Sequence, residues 1–357
     1  MQTPTADIIV PVWNNPFETR ACLAAILEHS PRARLIIVDY GSSRETELML
    51  EEFSEPLGER GLFIFTDRNV GLVRAVNIGL ARSDSAYAVI VRPNVIVCSG
   101  WLERLLEEAV PSVGIVSPLF SGMAVQGPPR LTEGCTSMET GDVSFNTLLV
   151  RGEAHMLLGG FDEQMDGGEW CLKDYVRRAW SRGYHTVATN RVQLACGGET
   201  LFGSGERRRA LDESSRALYR QRWEESRCHG VYFTPDAEPA VLERAVEVVL
   251  EGARRGHRFT LFLHRRQAQE FRRRGWSGLH TGIELSPLPL LLPLRALARR
   301  VRDLRERVPG LVMVRGVEGG LFPEVESAVS LEELSSGAGA MPDRPREIIS
   351  EDMHGDH

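Results

Sequence analysis

The residues of this sequence that could do chemistry stand where apolar runs end. Asp39 closes "RLIIVD", Trp13 and Asn14 follow "DIIVPV", Asn69 and Gly71 follow "GLFIFTDR", and Arg92 and Asn94 interrupt "VIVRPNVIV" at residues 89–97. A second group, Asp166 and Glu169, lies in the glycine-rich segment "MDGGEWCLKDY". A carboxylate accepting from an N–H makes a charge-assisted hydrogen bond, and one within reach of a hydroxyl can take its proton. A guanidinium presents a planar fork that matches phosphate oxygens and stays charged at any relevant pH. It repels a cation, and a lone Asn amide oxygen poorly replaces paired carboxylates around a hard divalent ion. Each residue also has a plainer role. Asp39 suits a turn or the N-cap of a following helix, Asn69 and Gly71 a tight turn, Arg92 an ion pair with a neighbouring acid, Glu169 the cap of a helix from Trp170, and Asp166 a loop.

The apolar runs that must position these side chains alternate with helical patterns. "DIIVPVW" (7–13) is a strand, and Pro16 opens a helix through about His29 with Phe17, Cys22, Ile26 and Leu27 available to pack. Strand "RLIIVDYGSS" (34–43), a helix over 45–53, strand "GLFIFTDRN" (61–69), helix "VRAVNIGLARS" (73–83) and strand "AYAVIVRP" (86–93) follow. Strands separated by helices indicate a parallel sheet with helices on both faces. Ligands of such sheets bind at the carboxyl ends of the strands, where strand order reverses, so Asn14, Asp39, Asn69 and Arg92 should share one edge. From about residue 230 a strand–helix alternation restarts and predicts a second, smaller α/β domain. Within it, His257 and His264 read as surface or cap residues. The boundaries expected are 1–228 and 229–332, with 333–357 as a flexible tail lacking apolar periodicity.

Composition excludes several classes. The chain has 357 residues, 42% of them hydrophobic, and a formal charge of −7, which is no footprint for nucleic acid. Its six scattered cysteines form no CxxC and read as reduced thiols, which suits a cytoplasmic protein. The first residues lack the basic and apolar regions of a signal peptide. The run "LSPLPLLLPL" (285–294) is too short and proline-rich to span a bilayer. A buried segment or domain contact is its plainest role, ahead of a touch at a membrane surface.

Five segments, "IIVPVWNN", "LIIVDYGSS", "DRNVGLVRAVNIGL", "VIVRPNVIVCSGWLERLL" and "LLGGFDEQMDGGEWCLKDYVRRAWSRGY", occur in an order and spacing that resemble family 2 glycosyltransferases, enzymes of the GT-A fold, across residues 6–225. The resemblance implies a mostly parallel sheet flanked by helices and a nucleotide-sugar donor. Its nucleotide slot would be formed by Pro11, Val12, Trp13, Asn14 and Asp39, and closed by Asn69, Gly71 and Asn77. Aligned through "SGWLERLL", the family's two metal-binding acids are replaced by Arg92 and Asn94, and Cys196 stands where many relatives carry a histidine. The expectation is therefore no catalytic divalent metal and no other cofactor, with Arg92 and Asn94 at the diphosphate. Anchoring on Trp170-Cys171-Leu172 places Gly167 at the usual base position, leaving Asp166 or Glu169 to substitute, while Asp162 reads as structural. Two classes of function stay open. One is transfer of a sugar to a saccharide, lipid or protein acceptor; the other is an inactive GT-A-fold scaffold. The C-terminal domain is assigned acceptor or protein-partner binding.

Overall fold

The structure, a computed structural model, describes residues 6–122, 130–167, 169–198, 205–316 and 329–331. The expected tail, 333–357, lies outside the described residues, as does Gly168. The larger sheet contains β1 (Ala6–Val12), β2 (Arg34–Asp39), β3 (Gly61–Phe65), β4 (Tyr87–Val91), β5 (Val95–Ile96), β6 (Val113–Ser121), β7 (Ser137–Glu139), β8 (Thr147–Arg151) and β9 (His185–Cys196). The strands run in the order β3-β2-β1-β4-β8-β6-β9-β5, with β7 paired to β9. β1 to β4 are parallel, whereas β8 is antiparallel to both β4 and β6. After β1 the chain steps outward through β2 and β3, then returns to the other side of β1 as β4. The order thus reverses between β1 and β4, where ligands of open α/β sheets bind.

Alternating side chains build two cores from one sheet. Ile8, Val10, Leu35 and Ile37 face the helix Pro16–His29, which buries Cys22, Leu23 and Ile26. Ile9, Ile36, Val38 and Ile90 face the helices Leu72–Leu80 and Trp170–Ser181. Residues one apart on a strand point to opposite faces, so near-continuous apolar runs mark a sheet covered on both sides. Phe17 departs from expectation. It is 81% exposed, because the buried stripe of its helix runs through Thr19, Cys22, Leu23 and Ile26 instead.

The second sheet has the order β12-β11-β10-β13-β14, from β10 (Cys228–Tyr232), β11 (Arg258–Leu263), β12 (Ile283–Pro287), β13 (Val312–Arg315) and β14 (Val329–Ser330). Its pairings are all parallel. His264 caps the helix Arg265–Arg273 in a box with Gln267, as a cap residue should. His257 is not a surface residue. It is 7% exposed, and its Nδ1 accepts from the Arg227 N–H at 3.0 Å.

The two sheets are joined through β7. Glu139 N–H donates to the Leu279 carbonyl at 3.1 Å, and Thr281 N–H donates to the Glu139 carbonyl at 2.8 Å. The Glu139 carboxylate receives both Nε and Nη2 of Arg254 at 2.7 Å, and His185 Nδ1 lies 3.4 Å away. Burial pushes the Glu139 carboxyl up, but Arg254 and His185 outweigh it and hold it at about 2. A depressed carboxyl contributes stability that is present above its ordinary value of 4.5 and lost as pH falls toward about 2. Glu139→Gln should therefore destabilise the protein at pH 7 by about 2 kcal/mol. That is less than for a fully buried pair, because both side chains are 24% exposed. Thermal melts of the two proteins should converge between pH 4.5 and 2; a gap independent of pH would contradict this account.

Candidate functional site

Polar residues stand at or just beyond the carboxyl ends of β1, β2 and β4, and Asn69 in the turn that follows β3 (Gly61–Phe65). At the end of β1, Asn14 and Asn15 both adopt left-handed backbone, with φ of 54° and 55°, a conformation asparagine tolerates better than most residues. The Asn14 N–H donates to Ser42 Oγ at 2.8 Å, and its side-chain Oδ1 accepts from the Ser43 N–H at 2.9 Å. Asn14 is thereby committed to holding the turn after β2. Pro11 and Val12 are buried within β1. Of this segment it is Trp13, half-buried, that offers a ring at the edge. Its Nε1 donates to the Gly41 carbonyl at 3.2 Å, and its indole stacks near Tyr40 at 6.2 Å between centroids.

Asp39 ends β2 and is 2% exposed. Its Oδ1 accepts from the Ser42 N–H at 2.9 Å, the turn role foreseen from its type. Among the described residues its Oδ2 has no partner. Burial raises the carboxyl above its ordinary range, opposed by hydrogen bonds from the turn. A buried acceptor without a donor is costly, and this one lies in the turn that Trp13 caps.

The next contacts lead from Asp39 to the acids of the second group. Gly41 packs directly on the backbone of Arg68 and Asn69. Asn69 Oδ1 accepts from the Gly71 N–H at 2.9 Å and closes the turn before the helix Leu72–Leu80. Gly71 has φ of +90°, and a Cβ there would meet Asp166 Oδ2 at 2.1 Å. Only glycine fits this position. Asp166 Oδ1 in turn accepts from the Val73 N–H at 3.2 Å, in the first turn of that helix. Burial, reinforced by Glu163, raises the Asp166 carboxyl from 3.8 to about 6 although the Val73 N–H opposes it. That value suits a group that takes a proton near neutral pH. Asp39 and Asp166, 127 positions apart in sequence, thus belong to one chain of contacts.

Asn77 is turned to a different task. Its amide donates to the Phe161 carbonyl at 2.8 Å and to Glu163 at 3.0 Å, and accepts from the Phe161 N–H at 2.9 Å. It braces the loop that carries Asp166. Asp162, as its type suggested, is also structural. Its Oδ1 caps Gln164 N–H, and its Oδ2 pairs with Arg222 at 2.7 Å. Glu169 occupies the N-cap position of the helix Trp170–Ser181 without a side-chain capping bond, and is exposed.

Gly167, where the sequence departs from the expected acid, is closely covered. The helix Gly205–Arg222 lies directly on it, and a Cβ at Gly167 would meet the Leu211 carbonyl oxygen at 2.3 Å and Asp212 N at 2.7 Å. Its own N–H donates to Ser215 Oγ of that helix at 3.1 Å. No sequence pattern announces this cover; two adjacent glycines are its one trace.

Arg92 follows β4, beside the end of β1, with its backbone N–H on the Asn146 carbonyl at 3.0 Å. Asn94 and Cys196, 102 positions apart, meet across β5 and β9, with Asn94 Nδ2 3.4 Å from the thiol sulfur. The Asn94 Oδ1 is buried and has no partner among the described residues. One amide oxygen and one thiol are a poor donor set for Mg²⁺ or Mn²⁺, which favour several carboxylate oxygens. Among the described residues no group of three or more His, Cys, Asp or Glu could hold a metal ion.

The family model "Glycosyl transferase family 2" matches residues 7–120. GalNAc-T7, solved with UDP, GalNAc and Mn²⁺, is 14% identical, with a TM-score of 0.52, over 62% of this chain and 49% of its own. The mannosyltransferase PcManGT from Pyrobaculum calidifontis, solved with GDP-Man and Mn²⁺, is 19% identical, with a TM-score of 0.48, over 62% and 63%. S. aureus TarS 1-349 is 13% identical, with a TM-score of 0.47, over 54% and 60%. The chain therefore spans between about half and two thirds of the length of these structures. No curated protein matches the sequence.

Two outcomes follow from the geometry. Gly167→Ala should destabilise the protein by about 1–3 kcal/mol, since helix backbone rather than a flexible side chain must move; a melting temperature equal to the parent's would refute the contact. The raised carboxyl of Asp166 makes its ionisation unfavourable to folding. Its contribution is fully present below 3.8 and lost as pH rises to about 6. Asp166→Asn, which can still accept from Val73 N–H, should gain stability relative to the parent as pH rises through that window, then hold the gain. Chemical denaturation at pH 4 and pH 7.5 checks the sign.

Proposed function

From a chain whose residues 7–120 follow the family 2 glycosyltransferase pattern and whose larger sheet is a GT-A fold, we propose a transferase that moves a sugar from a nucleoside diphosphate donor to a hydroxyl of a saccharide, lipid or protein, without a conventional divalent metal site. The observation that carries this reading is the buried Asp39, one oxygen of which has no partner among the described residues, in the turn on whose Gly41 carbonyl Trp13 donates and in a chain of contacts with Asp166. Asp39 Oδ2 would accept an imide N–H of the base, as uracil and guanine both provide, against the indole of Trp13. Arg92, at the switch between β1 and β4, would contact the diphosphate and offset the negative charge that grows as it leaves. Asp166, with a carboxyl near 6, would take the proton of the acceptor hydroxyl as its oxygen bonds to the anomeric carbon, while the anomeric C–O bond to the diphosphate breaks and its electron pair leaves on the diphosphate. Glu169, exposed at the adjacent helix start, is the second candidate for that proton.

A second reading, a nucleotide-binding protein without turnover, is favoured by the helix lying over Gly167, which covers the backbone where the usual base would stand. Calorimetric titration of UDP, GDP and their sugar conjugates, once with Mn²⁺ and once with EDTA, separates the alternatives. Binding that survives EDTA is the expected result, and binding only with Mn²⁺ would overturn the metal-free site. Arg92→Ala should weaken diphosphate binding by about one to two orders of magnitude, the loss of one charged hydrogen bond of roughly 1.5–3 kcal/mol. Asp166→Asn should keep donor affinity and lose turnover. Donor binding with no turnover in the parent against saccharide, lipid and peptide acceptors favours the second reading.

A further inference from the structure

The loop between β12 and the helix Pro293–Arg307 displays leucine to solvent. Leu290, Leu291 and Leu292 of this loop and Leu294 in the first turn of the helix are 70%, 84%, 61% and 47% exposed, so the expectation of a buried segment fails at the tip of the run. The display is built in. Leu292 has φ of 53°, an outlier for a bulky residue. Arg300 donates to Ser286 Oγ at 2.8 Å and to the Pro287 carbonyl at 2.7 Å, and Leu288 is buried, so the base of the loop is fixed while its tip projects. The helix that follows turns Leu297, Val301 and Leu304 to the core. Its opposite face carries exposed Arg295, Arg299 and Arg302 at i, i+4 and i+7, and no acid precedes Asp303.

We propose that this leucine turn and the arginine face beside it dock the protein on an anionic lipid bilayer. Exposed apolar side chains contiguous with a basic helical face match the two attractions of a bilayer surface, insertion at the acyl boundary and attraction to acidic headgroups. A protein partner fits less well. Binding hot spots favour Trp, Tyr and Arg and disfavour Leu, and they fill pockets rather than project. The described residues hold no helix long and apolar enough to cross a membrane, so this contact is peripheral. The inference goes beyond sugar transfer and does not rest on it.

Sedimentation of the full chain with vesicles tests the proposal. The protein should sediment with phosphatidylcholine vesicles containing phosphatidylglycerol, more weakly with phosphatidylcholine alone, and less as salt is raised. Leu290→Ser with Leu291→Ser should lower partitioning about ten-fold or more, and Arg295→Gln, Arg299→Gln and Arg302→Gln together should abolish the preference for anionic vesicles. These positions are exposed, so the variants should melt with the parent. Three results overturn the proposal: no sedimentation with either vesicle, sedimentation unchanged in the leucine variant, or a self-association in sedimentation velocity that the leucine variant abolishes. The last would assign the turn to contact between copies of this chain.

Discussion

A carboxylate with no exposure to water sets the arrangement of the candidate site. Asp174 is fully buried in the helix Trp170–Ser181, and a charge removed from water must be paired and hydrogen-bonded. Its Oδ2 receives Arg178 Nε at 2.8 Å, and its Oδ1 receives Arg222 Nη1 at 2.9 Å and Trp223 Nε1 at 2.8 Å. Satisfying Asp174 therefore draws the end of the helix Gly205–Arg222 onto the helix Trp170–Ser181. The same two arginines reach further. Arg178 donates to the carbonyls of Leu158 and Gly160, and Arg222 pairs with Asp162. The loop that carries Asp166 is thus fixed from both sides by the partners of one buried charge.

What that loop then does follows from steric fit. Held there, it presents Asp166 to the first turn of the helix Leu72–Leu80, where a side chain on Gly71 would collide with it. The helix that answers Asp174 also lies on Gly167 and excludes a carboxylate from that position. One network therefore accounts both for the glycine and for the neighbouring acid with a carboxyl raised to about 6. Desolvation makes that carboxyl a better base, and desolvation comes from the same packing.

Two parts of the chain serve different surfaces. Along the edge with Asp39, Asn69 and Asp166 polar side chains hold turns and a helix start, and Asp39 Oδ2 is buried without a partner among the described residues. The turn at Leu290–Leu292 is the reverse, apolar side chains held out in water by a strained backbone. The second sheet joins the first through Glu139 and Arg254, two residues 115 positions apart whose pairing brings the edge strand β7 against residues 279–281.

Much of this was legible in the sequence. The strand ends near Asn14, Asp39 and Arg92, the alternation that makes a covered parallel sheet, and the second α/β unit were written in period and turn chemistry, because local propensity and burial pattern are properties of neighbouring residues; the third strand stops at Phe65, four residues short of Asn69, where the chain turns toward the next helix. The substitutions of Arg92, Asn94 and Gly167 were equally visible by type. Tertiary structure alone decided which of them meet. Asn94 reaches Cys196, Gly71 receives Asp166, Asn77 braces a loop instead of facing the edge, and Phe17 and the leucine turn remain in water. These outcomes depend on contacts across tens to more than a hundred residues, and on whether a packed neighbour satisfies a polar atom or leaves it, as at Asp39 Oδ2, without a partner among the described residues. Sequence spacing carries no information about that vacancy in hydrogen bonding, because it is set by which backbones approach within a few ångströms once both cores have closed.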